Sequence, residues 1–398
     1  MSRWVDIVGD ANVRPGHAAD AVDGVVPGWV VEPGNLGEVQ ACVREVASAG
    51  MALVVSGRGA HLDIGARPRR CDVLLRLARL ARIVDHQAGD MTVTVEAGCA
   101  LDVLDRVLAA AGQWLPLDPP RPEATTAGGL VAANLAGPLR AAHGTVRDLV
   151  LGLRTVGAEG ELVAGGGRVV KNVAGYDLPK LHVGALGTVG AIVEVTWKVR
   201  PRPAREEAVV IACPTTARAA DTALALRDLA VPPLWLEVAG PGGLADGPGE
   251  GAAVAVGFGG TVEEVAHGRA LAGACAGDLR AVAVADGAAL RARLGGFALE
   301  PAAAVLRLGT LPGRVGAVMD ATLERAGAAG TAVRVLAHAA SGIVHVAVAE
   351  ARAVAALVGE LRARLGPEGG TLVVERTGPE VKAAGQHCIA LGLDGTGR

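Results

Sequence analysis

The sequence predicts an α+β protein made of two domains. Segments that alternate apolar and polar residues, as strands do, are interleaved with segments whose apolar residues recur at helical spacing. The run Arg200 to Pro203 contains two prolines, which remove backbone donors and restrict the residues before them, so we expect it to break regular structure. With 398 residues the chain can form more than one core. We therefore expect a first domain over 1–203 and a second over 204–398.

In the first domain, the predicted elements do not follow the regular order of a doubly wound sheet. Apolar residues share one face of a predicted helix that Asn35 caps and Gly50 ends, and a second helix is predicted over Leu101–Ala111. A short helix is expected after Gly128. The predicted strands are Ala52–Ser56, Val73–Leu77, Ala81–Asp85, Met91–Ala97, Leu149–Thr155, Glu161–Ala164 and Ile192–Val199.

The second domain repeats one order of elements: strand, helix, strand, strand, helix. The first repeat comprises Glu207–Ala212, Thr215–Ala230, Leu234–Val238, Ala252–Gly257 and Val262–Cys275. The second comprises Ala304–Gly309, Pro312–Ala328, Ala332–His338, Ile343–Ala349 and Ala351–Leu365. These two βαββα units predict a single antiparallel sheet backed by helices.

Composition excludes several classes of function. A net charge of −3 and eight aromatic residues leave neither the basic surface nor the stacking side chains that nucleic-acid binding needs. No uncharged apolar run reaches the length of a membrane-spanning helix, and Asp6 and Asp10 interrupt the start where a secretory signal would be apolar. We expect a cytoplasmic protein. Attachment to the inner face of the membrane through partners stays open.

The six cysteines are scattered along the chain. The closest two, Cys71 and Cys99, are 28 positions apart, so no ligand set for an iron–sulfur cluster or a zinc ion is present. Isolated buried thiols are the expected role for all six.

The first glycine-rich segment directly follows a predicted strand. Glycines allow backbone amides to approach a pyrophosphate closely, although such a segment on its own is also compatible with a plain loop. No Gly-Lys-Ser/Thr sequence follows, and no helix opens on a GxGxxG pattern, so it is neither a P-loop nor a Rossmann fingerprint. The candidate ligand-binding residues are Ser56, Gly57, Arg58, Gly59, Ala60 and His61.

The second segment runs from Pro119 to Asn134. Prolines stiffen its start, Thr125 and Thr126 offer hydroxyls, and Gly128 and Gly129 would admit a planar ligand or a phosphate against the backbone. A helix start after a proline turn explains the same residues equally well. Beyond Asn134 this second segment continues through Gly144, Arg147 and Asp148.

The third segment extends from Gly165 to Ile192. The chain has four lysines, and two of them, Lys171 and Lys180, flank its only tyrosine, Tyr176. This clustering in an arginine-rich chain indicates a local chemical demand, although chance would also produce it.

Taken together and in this order, the three segments resemble the p-cresol methylhydroxylase type of FAD-binding domain, found in the vanillyl-alcohol oxidase superfamily. The stretch Val170–Leu178 is the most specific part, and it is most similar to the FAD-binding subunits of bacterial glycolate oxidases. The resemblance implies a two-subdomain FAD-binding domain followed by an α+β cap domain with an antiparallel sheet.

The resemblance also implies cofactor contacts. Residues Ser56 to Ala60 would line the pyrophosphate of a non-covalently bound FAD. The remaining contacts would come from His61, Thr125, Thr126, Gly128, Gly129, Asn134, Gly144, Arg147, Asp148, Gly187, Thr188 and Ile192.

The sequence departs from the catalytic relatives at the substrate site. Related FAD dehydrogenases of D-2-hydroxy acids commonly have Arg before the lysine of the third segment and Thr before its Gly-Tyr-Asp. Here these positions are Val170 and Ala174, so a clamp for a substrate carboxylate is missing. Lys171 and Tyr176 are weak catalytic candidates, with a structural hydrogen-bonding role as the alternative.

The cap domain shares one feature with the metal site of such relatives, the spacing of two histidines. His338 and His345 have the His-x6-His spacing, but the residues between them differ, no Glu-His-Gly follows, and Glu375 lies in the nearest acidic stretch. Two imidazoles alone make a weak site, so we expect ordinary strand histidines and no metal. The family's usual carboxy-terminal segment is also absent.

The resemblance implies the FAD-binding subunit of a heteromeric 2-hydroxy-acid (glycolate) dehydrogenase. Its expected partners are a homologous catalytic flavoprotein and an iron–sulfur subunit, with a small 2-hydroxy acid as substrate. A free-standing FAD-dependent oxidoreductase is the alternative, and a flavin-stabilised scaffold without turnover is a third possibility.

Overall fold

The computed structural model describes residues 2–168, 176–244 and 251–383. Two compact units divide the chain. The first comprises Met1–Ala136 and Gly144–Arg202, and the second comprises Gly137–His143 and Pro203–Arg398. The short stretch Gly137–His143 therefore packs with the second unit although its neighbours on both sides belong to the first.

The first unit contains a mixture of short strands and helices. Its helices are α1 (Ser2–Val8), α2 (Leu36–Ser48), α3 (Leu101–Ala110), α4 (Ala127–Ala133), α6 (Val146–Leu149) and α7 (Leu178–His182), while α5 (Arg140–His143) belongs to the second unit. Its strands are β1 (Val13–Pro15), β2 (Trp29–Val31), β3 (Leu53–Ser56), β4 (Val73–Arg76), β5 (Ile83–Gln87), β6 (Thr92–Glu96), β7 (Gln113–Trp114), β8 (Val150–Val156), β9 (Leu162–Gly166), β10 (Ala191–Lys198) and β11 (Arg200–Pro201).

Two sheets form the body of the first unit. The smaller has the order β1-β2-β4-β3, in which β4 runs parallel to both β2 and β3. Helix α2 covers it because Val39, Val43 and Val46 are buried on one face, and the Asn35 side chain caps its start by accepting from the Glu38 amide.

The larger sheet of this unit has the order β5-β6-β10-β8-β9 and is antiparallel throughout. The sequence prediction that regular structure stops at Arg200 is wrong by two residues. Arg200 and Pro201 form β11, which pairs with Trp114 and Gln113 of β7. Proline is tolerated there because this two-stranded ladder has a free edge that needs no donor from it.

The second unit contains one eight-stranded sheet. Its strands are β12 (Arg205–Cys213), β13 (Trp235–Ala239), β14 (Ala252–Gly260), β15 (Ala281–Val284), β16 (Ala304–Gly309), β17 (Val333–His338), β18 (Ile343–Val348) and β19 (Thr371–Thr377). Its longer helices are α8 (Thr216–Arg227), α9 (Val262–Ala276), α10 (Gly287–Gly295), α11 (Val315–Ala328), α12 (Ala351–Leu365) and α13 (Pro379–Ala383). The sequence analysis did not predict β15, α10 or β19.

The order of this sheet is β15-β12-β14-β13-β17-β18-β16-β19, and every neighbouring pair is antiparallel. The two βαββα repeats meet where β13 pairs with β17. Alternate strand residues such as Val254 and Val346 pack with Leu226 of α8 and Leu357 of α12 in one core. The predicted fold class, including the antiparallel cap sheet backed by helices, is confirmed.

A buried polar cluster ties α10 to this sheet. The Glu206 carboxylate accepts from Nε of Arg291 at 2.8 Å and from the indole Nε1 of Trp235 at 2.8 Å. The side chains of Glu206 and Arg291 are 8% and 11% exposed, so these opposite charges compensate each other where little water reaches them.

We expect Glu206→Gln to lower the free energy of unfolding by about 2–3 kcal/mol, because a neutral amide takes away the negative charge that lies 2.8 Å from the buried Arg291 guanidinium. Urea unfolding followed by far-UV circular dichroism measures the change. The control is Glu324→Gln on the exposed face of α11, which should shift stability by less than about 0.5 kcal/mol. Equal effects of the two substitutions would contradict this role for Glu206.

Candidate functional site

A cavity of about 360 Å³ lies within the first unit. It extends from the end of β3, along residues 57–66, to the start of α4 and to residues 186–192. Of the predicted cofactor-binding residues, those that line it are Ser56, Gly57, Arg58, Gly59, Ala60, His61, Thr125, Thr126, Gly128, Gly129, Gly187, Thr188 and Ile192. The structure thus brings the first two glycine-rich segments and part of the third to one cavity.

Close backbone packing joins the first two segments. A Cβ atom on Gly57 would lie 2.2 Å from Oγ1 of Thr126, so a larger residue would force the segments apart. Thr126 also caps α4, since its side chain accepts from the Gly129 amide. At Gly128 a Cβ would lie 2.7 Å from Cβ of Ala97, which places the start of α4 directly against the chain leaving β6.

Side chains cross between the same two segments in both directions. Nη1 of Arg58 donates to the Glu123 carbonyl at 3.0 Å, and Nη1 of Arg121 donates to the Ala60 carbonyl at 2.9 Å. These two bonds fix the distance between the segments across the cavity mouth.

His61 supplies a third connection between the segments. Its Nε2 lies 2.7 Å from Oγ1 of Thr125, and the same hydroxyl lies 2.8 Å from the Arg121 carbonyl. Burial lowers the pKa of His61 to about 4, with Asp63 opposing and Arg121 adding to the shift, so the ring is neutral at pH 7.

The polar groups at the cavity suit an anionic, hydrogen-bonding ligand. Arg58 is the only Asp, Glu, Lys or Arg side chain among the described residues that line it. Oγ of Ser56 is buried and has no hydrogen-bond partner among the described residues, a costly arrangement that a bound ligand would relieve.

Four of the predicted contacts lie outside the cavity lining. Asn134 ends α4 in the left-handed conformation. Thr145 donates to Asp148 from its amide and its hydroxyl, which builds the start of α6 beside Gly144, and Arg147 lies within that helix. For Asn134, Gly144, Arg147 and Asp148, contact with a cofactor stays a prediction.

Of the two catalytic candidates in the third segment, the structure describes one. Lys171 lies outside the described residues, as do Val170 and Ala174. Tyr176 is 93% exposed and is absent from the cavity lining.

Sequence reasoning missed the apolar wall of the cavity. Its members are Val22, Leu53, Val54, Val55, Leu62, Ile64, Gly65, Ala66, Pro68, Leu77, Ala97, Ala124, Ala132, Ala133, Leu186 and Gly190. Of these wall residues, those of β3 could have been found from the sequence, because a strand that leads into a glycine-rich loop often lines the site that the loop forms.

In the second unit, His338 and His345 do not stand alone on their strands. Nδ1 of His338 lies 2.9 and 2.8 Å from the two carboxylate oxygens of Glu237 on β13. Nδ1 of His345 lies 3.2 Å from Glu375 on β19, and the two rings meet edge to face at 4.9 Å. Nε of Arg307 lies 2.7 Å from the other side of Glu375.

Burial and neighbouring charges shift the pKa values of the carboxylates and imidazoles in this row. Burial raises the pKa of Glu237, against the attraction of His338, and burial lowers the pKa of His345. Burial would raise the pKa of Glu375, but His345 and Arg307 hold it at about 2. Sequence reasoning missed Glu237 and was wrong that no carboxylate accompanies the histidines. Within the described ranges, no group of three or more His, Cys, Asp or Glu side chains is arranged to hold a metal ion.

The five cysteines in the described part of the chain are all free thiols. Burial raises the pKa of Cys42 to about 12 and those of Cys71 and Cys99 to about 11, so these three are protonated at pH 7. Cys388 lies outside the described residues. None of the described helices is both long and apolar enough to cross a membrane.

Comparison with known proteins identifies the domain around the cavity. Residues 27–166 match the FAD binding domain family. The chain is 40% identical to glycolate oxidase subunit GlcE of Escherichia coli over 163 residues, which are 40% of this chain and 46% of that protein. It is 34% identical to D-2-hydroxyglutarate dehydrogenase of Xanthomonas citri pv. viticola over 183 residues, 46% of this chain and 39% of that protein.

The matched segments span less than half the length of these two relatives. The fold matches over a longer stretch. The solved structure of p-cresol methylhydroxylase with substrate bound superposes with a TM-score of 0.74 and 15% identity, covering 99% of this chain and 93% of that one. This protein is therefore a flavoprotein with an FAD-binding domain, in the fold of p-cresol methylhydroxylase.

Proposed function

We propose that this chain is the FAD-binding subunit of a heteromeric dehydrogenase of 2-hydroxy acids such as glycolate. In this proposal, electrons leave through a homologous catalytic flavoprotein and an iron–sulfur subunit. The observation that carries it is the cavity formed by the glycine-rich segments, in a domain 40% identical to a glycolate oxidase subunit. That relative is a subunit by name, and its similarity to this chain supports a subunit role here.

The residues at the cavity fit FAD. The unpartnered Oγ of Ser56 and the amides beside Gly57 and Gly59 would receive the pyrophosphate, whose charge Arg58 would offset. The apolar wall would pack against the flavin and adenine rings. Bound FAD would supply the electron-accepting group, and the residues of this chain would hold it in place and exclude water from it.

The proposal assigns the substrate to a partner. Val170 and Ala174 stand where the related dehydrogenases carry Arg and Thr, and neither side chain can bind a carboxylate. Nδ1 of His338 is hydrogen-bonded to Glu237, and Nδ1 of His345 lies 3.2 Å from Glu375. The absence of a cysteine ligand set in the sequence leaves no route for electrons through an iron–sulfur cluster of its own.

A free-standing FAD-dependent oxidoreductase is the second candidate. The buried row of Glu237, His338, His345 and Glu375 favours it, because buried carboxylate–imidazole pairs are also a frequent arrangement at catalytic sites. Reaction of the isolated chain with a 2-hydroxy acid separates the two candidates.

The first prediction concerns Gly129. We expect about one FAD per chain in the purified protein and none in Gly129→Val. The Cβ of the valine would lie 3.1 Å from Oγ1 of Thr126, and its two methyl groups would occupy the cavity that Gly129 lines. Flavin absorbance relative to protein gives the occupancy. Gly273→Val is the matched control, since no atom lies within 4 Å of its Cβ position. Full occupancy in the Gly129 variant would remove this residue from the site.

The second prediction is that the flavin is not covalently bound. Some members of the superfamily carry a flavin-linked histidine near this position, but the linking place here is occupied by Ala60, and Nε2 of His61 is engaged with Thr125. Acid precipitation should release the flavin into the supernatant for both the wild type and His61→Ala. Flavin that stays with the precipitated wild type and is lost in the variant would overturn this expectation.

The third prediction tests the subunit role. Anaerobic mixing of the FAD-loaded chain with glycolate or D-lactate should leave the flavin oxidised, because no residue of this chain is expected to hold the carboxylate so that the α-carbon faces the reactive ring nitrogen. The complex assembled with its partners should bleach. Bleaching of the isolated chain at rates comparable with turnover would favour the free-standing enzyme.

A further inference from the structure

Strand β15 forms an unprotected edge of the eight-stranded sheet. Within the described residues it pairs with β12 and with no other strand. Its sequence, Ala281–Val284, contains no charged residue, proline or bulge, three of the features that protect an edge from pairing with another chain. The opposite edge, β19, carries Glu375 and Arg376.

The apolar side chains of this edge are exposed. Ala281, Val282 and Ala283 are exposed and Val284 is half-buried, and 40% of Val282 is accessible. The strand is therefore open to solvent both along its backbone edge and over its side chains.

The ladder with β12 determines which backbone groups point outward. The Ala212 amide donates to the Arg280 carbonyl, so residues 280, 282 and 284 direct their amides and carbonyls toward β12. Because these groups alternate along a strand, those of Ala281 and Ala283 point away from the sheet. They form a row of donors and acceptors at the spacing that another antiparallel strand requires.

This row is complementary to itself. In an antiparallel pairing centred on Ala283, the two copies of Ala283 exchange amide–carbonyl bonds, and Val282 of each copy faces Val284 of the other. Beyond the two ends of the strand, the same register brings Arg280 of one copy near Asp286 of the other. Both residues are exposed, and Asp286 also caps α10 by accepting from the Ala289 amide. Centring the pair on Val282 instead would bring Asp278 against Asp286, which like charges disfavour.

We propose that this edge is the interface of a homodimer, in which β15 pairs with β15 of a second copy about a two-fold axis and joins the two eight-stranded sheets. Two-fold pairing closes on itself, so the association stops at two chains and protects both edges. The contact is one strand long, so the dimer is expected to be a weak one that exchanges with monomer.

The test uses the full-length, FAD-loaded chain in sedimentation velocity runs from about 1 to 100 µM. We expect a concentration-dependent shift from the mass of one chain to twice that mass. Ala283→Pro removes the central outward amide but leaves the ladder to β12 intact, so it should weaken association about tenfold or more without changing the thermal unfolding midpoint.

A pair of charged variants tests the register. Val282→Lys and Val284→Glu should each be monomeric alone, because each puts a charge opposite valine. An equimolar mixture should dimerise, because Lys and Glu then meet once and Val meets Val once. A wild-type chain that stays monomeric at the highest concentration would overturn the proposal. So would a dimer that Ala283→Pro leaves unchanged, or a mixture that stays monomeric while the wild type dimerises.

Discussion

The candidate site depends on the close approach of Gly57 to Thr126. The two residues belong to segments about 70 positions apart, and the space between them is smaller than a methyl group requires. Because Thr126 also caps α4, the same hydroxyl positions the loop after β3 and the helix that follows the second segment. The bonds from Arg58, Arg121 and His61 then hold the two segments at a fixed separation, which gives the cavity its width.

The charges around this cavity are arranged for binding. Arg58 is the only formally charged side chain among its described lining residues, and His61 is neutral at pH 7 because burial opposes its protonation. Ser56 keeps an unpaired buried hydroxyl, and glycines expose backbone amides. This combination suits a pyrophosphate between two ring systems.

The second unit has a different polar organisation. Glu237, His338, His345, Glu375 and Arg307 lie side by side on neighbouring strands. Nδ1 of His338 is hydrogen-bonded to Glu237 and Nδ1 of His345 lies 3.2 Å from Glu375, so the charge state of each imidazole depends on its neighbouring carboxylate. A buried row of this kind contributes to the structure whether or not a substrate reaches it. The reaction of the isolated chain decides between these roles.

Local patterns in the sequence determined most of the secondary structure and singled out the glycine-rich segments that line the cavity. Periodicity located α2, α12 and most strands of the cap because their buried faces are continuous in the sequence. Glycine-rich turns identified the cavity because close backbone approach permits few other residues. Strand β15 was missed because four small apolar residues carry little periodic signal.

Only the tertiary structure decided which distant side chains meet. Glu237 and His338 are 101 positions apart and become partners because β13 pairs with β17, a neighbour relation that no local pattern encodes. The hydrogen bond between His61 and Thr125 joins residues 64 positions apart, and the clustering of Gly137–His143 with the second unit follows from its packing there. Periodicity reports which face of an element is buried. The pairing of strands determines what that face contacts.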